Sequence, residues 1–200
     1  MERTPLWDRR YSEEGFTFGT CPNAFLTRSV SHLTPGGHLL SLGEGEGRNA
    51  VWLAQQGFRV TAVDASRIGL DKAQSLARQR GVRITTIQAN LADFPLPPSE
   101  YDGIISIFCH LPPKVRVPLY QRCAKTLRPS GIIILEAYTP DQLNRDTGGP
   151  QDAKRLMTAQ ILRDEFPSLR RILLQERIRS VYEGKLHTGK SSVVQFIGQR

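Results

Sequence analysis

His38-Leu39-Leu40-Ser41-Leu42-Gly43-Glu44-Gly45-Glu46-Gly47-Arg48-Asn49 is a short apolar run that breaks into three alternating glycines and passes straight into an amphipathic stretch. Glycine between a strand and a helix lets the backbone bend sharply and lets a ligand approach the main chain. Dinucleotide folds use a similar loop, so the spacing alone is a weak signal. The residues between the glycines discriminate better. A pyrophosphate at a helix N-terminus needs amide donors and positive potential, whereas Glu44 and Glu46 put two carboxylates there. They would repel a phosphate and welcome a ligand that carries positive charge.

Outward from this loop the chain alternates short apolar runs with amphipathic stretches. Arg48–Gln56 has Val51, Trp52 and Ala54 on helical spacing, and Gly57 stands at the C-cap position. Phe58–Val63 reads as a strand ending at Asp64; Ser66 to Arg80 reads as a helix closed by Gly81. Val82–Gln88 is strand-like, and Asp102–Phe108, with Ile104, Ile105 and Ile107, has the composition of a buried strand. Pro113 to Leu127 reads as a helix, Arg128-Pro129-Ser130-Gly131 as a turn, and Ile132–Leu135 as a fifth strand. The tail, Arg171–Tyr182 and Ser191–Gly198, alternates like two antiparallel strands around Glu183-Gly184. Strands alternating with helices imply βαβ units and a parallel sheet. The expected fold is a three-layer α/β/α Rossmann-like sandwich, its seven-stranded sheet mostly parallel with an antiparallel C-terminal strand. One domain is expected over 1–200, with an aromatic, helical cap or lid at 1–37 and the core at 38–200.

Composition narrows the class. In 200 residues, 39% hydrophobic and 23% charged content excludes a disordered tail or a fibrous repeat. No run approaches the ~20 apolar residues of a membrane helix, and Met1-Glu2-Arg3-Thr4-Pro5 has neither the apolar core nor the cleavage site of a secretory signal. Cys21, Cys109 and Cys123 are an odd count without CxxC spacing, which fits a reducing cytoplasm and no disulfide framework. The four histidines have no metal-ligand spacing, so no metal is expected.

Ligands in such sheets sit beyond the carboxyl ends of the strands. Asp64, about 20 residues after the first glycine, can accept from both hydroxyls of a ribose. Gln88-Ala89-Asn90-Leu91-Ala92-Asp93 follows the third strand, where a polar side chain can read an adenine edge. With the two loop glutamates, this order points to S-adenosylmethionine, which combines adenosine with an ammonium and a sulfonium. The ordered set Gly43–Gly47, Val63-Asp64-Ala65, Asn90–Asp93 and Asp102–Phe108 resembles the class I S-adenosylmethionine-dependent methyltransferases over about residues 38–138. The resemblance implies that Gly43, Glu44, Gly45, Glu46, Gly47 and Asn49 surround the methionine end. It implies that Asp64, Ala65 and Ser66 hold the ribose, that Asn90 and Leu91 hold adenine, and that Ser106 and Phe108 lie beneath the methionine. Ser41 stands where that family often has an acid, and Glu44 is expected to take over contact with the cofactor's ammonium.

Trp7-Asp8-Arg9-Arg10-Tyr11, Phe18-Gly19 and Pro22-Asn23-Ala24-Phe25-Leu26 resemble the N-terminal cap of tellurite-resistance (TehB-like) and small-molecule thiol methyltransferases. Trp7 and Tyr11 offer flat surfaces for a lid over a sulfonium; stapling the first helix to the sheet is the competing role. Beyond the fourth strand, His110 is a candidate to deprotonate or orient an acceptor, with His187 in the tail turn as a second. Tyr138 and Arg145 are candidates for the acceptor-side rim. The expected partner is a small methyl acceptor with a soft nucleophile — thiol, selenium or tellurium — turned over by a monomer. A nucleic acid is not expected despite a net charge of +8, because Phe108-Cys109-His110-Leu111 replaces the Asp/Asn-Pro-Pro-aromatic run of amine-methylating nucleic-acid enzymes. RNA or protein methylation, and cofactor binding without catalysis, are the alternative readings.

Overall fold

In a computed structural model describing residues 4–184 and 186–200, seven strands join in one sheet. They are β1 (His38–Leu42), β2 (Arg59–Asp64), β3 (Thr85–Gln88), β4 (Tyr101–Ile107), β5 (Leu127–Tyr138), β6 (Arg170–Tyr182) and β7 (Thr188–Gln199). Their order is β3-β2-β1-β4-β5-β7-β6. The first five pair in parallel, and β7 runs antiparallel between β5 and β6. Six helices flank the sheet: α1 (Thr4–Tyr11), α2 (Ala24–Ser29), α3 (Arg48–Gln55), α4 (Arg67–Gln79), α5 (Pro113–Thr126) and α6 (Ala159–Glu165).

The two faces follow from side-chain alternation along the strands. Leu40, Leu42 and Ile104 enter a core shared with Leu119, Tyr120 and Cys123 of α5 and Leu162 of α6. Leu39, Ile105 and Ile107 enter a second core with Phe25 and Leu26 of α2, Ala50 and Leu53 of α3, and Ala73 and Leu76 of α4. Covering both faces buries the central strands, which explains their near-continuous apolar runs. Helix starts are chemically marked: Asn23, Ser66 and Thr158 each cap a helix by accepting from backbone N–H groups. No described helix is long and apolar enough to cross a membrane.

Two local expectations need correction. Arg128–Gly131 is not a free turn between α5 and a strand. β5 already begins at Leu127, pairing Tyr101↔Leu127 and then Gly103↔Ile132, so the extra residues form a bulge with Ser130 left-handed at φ 66°. The third strand is confined to Thr85–Gln88 and does not reach back to Val82. The order reverses between β1 and β4, so the crevice beyond their carboxyl ends is where such a sheet takes a ligand.

Candidate active site

The glycine loop leaves β1 in this crevice with Gly43, Gly45 and Gly47 all at positive φ. Gly45 is required by closeness as well: a Cβ there would lie 2.5 Å from the Tyr11 hydroxyl. Asp64, at the end of β2, accepts from Gly45 N–H at 2.8 Å and from Ser66 N–H at 2.8 Å, so this acid shapes the loop. Glu44 turns back under it. One oxygen accepts from Asn49 and Ala50 N–H at 3.0 and 2.9 Å, and the other accepts from the Ser41 hydroxyl. Burial pushes both carboxyls up from their ordinary values, and these hydrogen bonds pull against it.

The other loop residues serve the N-terminal segment. Glu46 accepts from Thr17 N–H at 2.7 Å, Phe18 N–H at 3.4 Å and Lys72 Nζ at 3.0 Å. Its carboxylate, expected at the methionine end, is engaged by the N-terminal segment and α4. Asn49 Oδ1 accepts from Asn23 N–H at 2.9 Å. Above the loop, Tyr11 is buried, and Trp7 stacks on it with centroids 5.6 Å apart. Burial, then the charges of Asp64, Glu46 and Glu44, raises the Tyr11 hydroxyl well above its ordinary value. Ser66 caps α4 and bonds Asp8 of α1 through its hydroxyl, so this turn also holds the cap. Ala65 lies beside it, its carbonyl accepting from Gln88 Nε2 at 3.2 Å. Asn90 is exposed after β3 and accepts from Ala92 N–H at 3.0 Å, while Leu91 is buried beneath it.

At the β4 and β5 ends, five rings meet. Phe108 stands 4.5 Å from Tyr138 and 5.0 Å from His187; His187 also lies 4.6 Å from Phe18 and 5.3 Å from Tyr138. His110 stacks on Tyr138 at 5.4 Å. Ser106 is buried one turn of the strand below. His110, a candidate to deprotonate or orient an acceptor, has both ring nitrogens engaged. Its Nδ1 bonds the Phe108 carbonyl at 2.9 Å and its Nε2 accepts from Tyr138 N–H at 2.9 Å, so both nitrogens join strand ends. Burial lowers it to about 4. His187 differs: its Nδ1 is buried without a hydrogen-bond partner among the described residues. Burial, then Arg48, His110, Arg10 and Arg179, lowers it to about 3.

Tyr138 is fully buried, and its hydroxyl has no hydrogen-bond partner among the described residues. Arg145 follows a short helical turn at Pro140–Asn144, and its buried Nε has no hydrogen-bond partner among the described residues. Cys109 points away beneath Gly43, its thiol pushed up to about 12 by burial. Among the described residues no His, Cys, Asp or Glu cluster could hold a metal. Sequence reasoning missed Phe18 of the ring cluster and the ion pairs of Arg48, Arg179, Glu136 and Glu183. Phe18 was visible within the aromatic run; nothing local marked the long-range pairs.

This donor set fits S-adenosylmethionine. Buried carboxylates and loop amides suit its ammonium and ribose, and an aromatic lid suits its sulfonium. Residues 39–131 match the family model described as a methyltransferase domain. A probable S-adenosylmethionine-dependent methyltransferase of Mycobacterium tuberculosis is 31% identical over 66% of this chain and 46% of that protein. The cypemycin N-terminal methyltransferase of a Streptomyces species is 30% identical over 64% of this chain and 53% of that protein. The chain thus spans about half the length of the curated relatives it matches. Among solved structures, one concerned with converting a disulfide bond into a thioacetal group during echinomycin biosynthesis superposes with a TM-score of 0.77 at 20% identity, over 98% of this chain and 92% of that one. TehB of Haemophilus influenzae superposes with a TM-score of 0.72 at 15% identity, over 98% of this chain and 66% of that one. The match over residues 39–131 and the curated relatives make this crevice similar to the cofactor site of S-adenosylmethionine-dependent methyltransferases.

Proposed function

We propose that the protein methylates a small soft nucleophile, a thiol or a selenium or tellurium species, beside the ring cluster of Phe18, Phe108, Tyr138 and His187. S-adenosylmethionine, when bound, supplies an electrophilic methyl group for in-line displacement. The observation that carries the reading is geometric: His110 has both ring nitrogens engaged, with the Phe108 carbonyl and with Tyr138 N–H, and burial holds it and His187 low, at about 4 and 3. Such imidazoles are too weakly basic to ionise a hard hydroxyl acceptor. A soft acceptor that ionises readily needs only orientation and desolvation, which a site beside these rings provides. The Tyr138 hydroxyl and His187 Nδ1 are left to orient it, and its proton leaves to water as the methyl arrives. Glu44 contributes charge toward the cofactor's ammonium, while Trp7 and Tyr11 close the site from above. The sulfur chemistry named for the echinomycin neighbour, and the likeness to TehB, support a soft acceptor for this chain.

The test offers the protein S-adenosylmethionine with a labelled methyl group, beside thiols, selenite, tellurite, total RNA and protein extract. Label in the volatile or organic fraction is expected. Label in RNA or protein instead would overturn the small-acceptor reading.

A further inference from the structure

β6 and β7 are joined by a turn that one carboxylate ties down from three directions. Glu183 accepts from Arg48 Nη2 at 2.5 Å, from Asn23 Nδ2 at 2.8 Å and from Arg179 Nη2 at 3.1 Å. Its own N–H donates to the His187 carbonyl at 2.7 Å and closes the turn. Glu136, fully buried on β5, accepts from Arg179 at 2.8 and 2.5 Å, from Asn23 Nδ2 at 2.6 Å and from Gln195 Nε2 at 2.6 Å. Two arginines and two glutamates thus balance in a space largely closed to water. Buried charges persist only when paired and hydrogen-bonded, so this geometry is strongly specified.

Arg48 is what gives the network reach. It is the first residue of α3, directly after Gly47 of the cofactor loop. Its neighbour Asn49 holds the backbone of Asn23, and Gly184 packs so closely on Phe18 that a Cβ would collide with its backbone. The loop, the N-terminal segment and the turn bearing His187 therefore meet at the Arg48–Glu183 pair.

We propose that Glu183 is a positioning residue that, through Arg48, fixes the turn bearing His187 against the cofactor loop, so that loop and acceptor-side imidazole are set as one unit. The catalytic consequence rests on the acceptor reading above; the positioning itself does not. A link of this kind supplies the alignment that in-line transfer needs.

The experiment follows the 15N resonances of the His187 ring while S-adenosylhomocysteine is titrated in, so no acceptor is required. In the wild type, ligand binding at the loop is expected to shift the His187 signals. In Glu183→Gln at saturating ligand, that response falls several-fold, and Glu183→Asp recovers part of it. Arg48→Lys, which keeps the charge but loses the planar fork, is expected to weaken the response from the other side and serves if Glu183→Gln does not fold. A wild-type response in folded Glu183→Gln or Arg48→Lys overturns the proposal. A His187→Asn protein that still transfers methyl groups at the wild-type rate would instead sink the acceptor-side role of His187, leaving the NMR coupling to stand or fall by itself.

Discussion

Glu44 performs at the start of α3 the task that a serine or aspartate N-cap ordinarily performs. The cap position is Gly47, which has no side chain, so a carboxylate three residues back accepts the exposed amides of Asn49 and Ala50. Gln at this position retains an oxygen for the amides and an –NH2 toward Ser41, but removes the charge. Glu44→Gln is therefore expected to melt within a few degrees of the wild type while binding S-adenosylmethionine roughly tenfold more weakly, as loss of one charge-assisted contact implies. Unchanged affinity by calorimetry would show that the ammonium is held elsewhere. A second expectation concerns His187. Because it and His110 titrate at about 3 and 4, neither changes charge between pH 5.5 and 8. The kcat/KM profile should follow the acceptor's own ionisation there, rising as the nucleophile deprotonates. An inflection in that window that vanishes in His187→Asn would show that His187 works as a base of ordinary strength.

The N-terminal segment is held by being pinned to the loop, not by its own helix propensity. α1 is short, and Lys72 of α4 bonds the Glu13 and Gly15 carbonyls at 2.8 and 2.6 Å while pairing with Glu46. Glu46→Gln loses that pair and one charge-assisted amide contact, a weakening of about 1.5–3 kcal/mol. Trypsin should then cut at Arg9 and Arg10 at least tenfold faster, with strand amides in the core exchanging as before. Equal cutting rates would mean that the aromatic stacking alone holds the segment. The β1–loop–α3 unit was legible because its signals are local: an apolar run, glycines at the bend, then helical spacing. Asp64 was legible for the same reason, standing where the apolar run of β2 ends. Arg128–Gly131 was misread because proline and glycine mark a turn and a bulge alike, and only pairing with β4 separates them. Pro140–Asn144 and α6, between two strong strands, lack periodicity and take their shape from packing. Glu183 was read only as a turn residue, since its partners Arg48 and Asn23 lie far away in the chain and distance of that kind leaves no local trace.

Binding chemistry and stability meet in the titration of the whole fold. The ring cluster at the β4 and β5 ends buries His110 as a neutral imidazole spanning Phe108 and Tyr138, and its value drops from 6.5 to about 4. The unfolded chain therefore takes up that proton first. As pH falls below about 6.5 the unfolded state binds more protons than the native state, so stability falls with acidification until the folded group titrates near 4. At pH 5 the full shift would amount to about 2 kcal/mol, discounted to about 1–2 kcal/mol because the ring is not wholly enclosed. Glu44 and Asp64, raised by burial, act with the opposite sign at their own titrations, since there the native state takes up protons first. Comparing the wild type with His110→Gln removes that offset, because both proteins share the carboxyls. Urea unfolding at pH 7 and pH 5 should show the wild type losing about 1–2 kcal/mol more than the variant on acidification, although the variant starts less stable at pH 7. Parallel losses in the two proteins would mean that the native state opens to protonate His110 well above pH 5, and that the rings over the β4 and β5 ends do not close over it as the proposed acceptor reading needs.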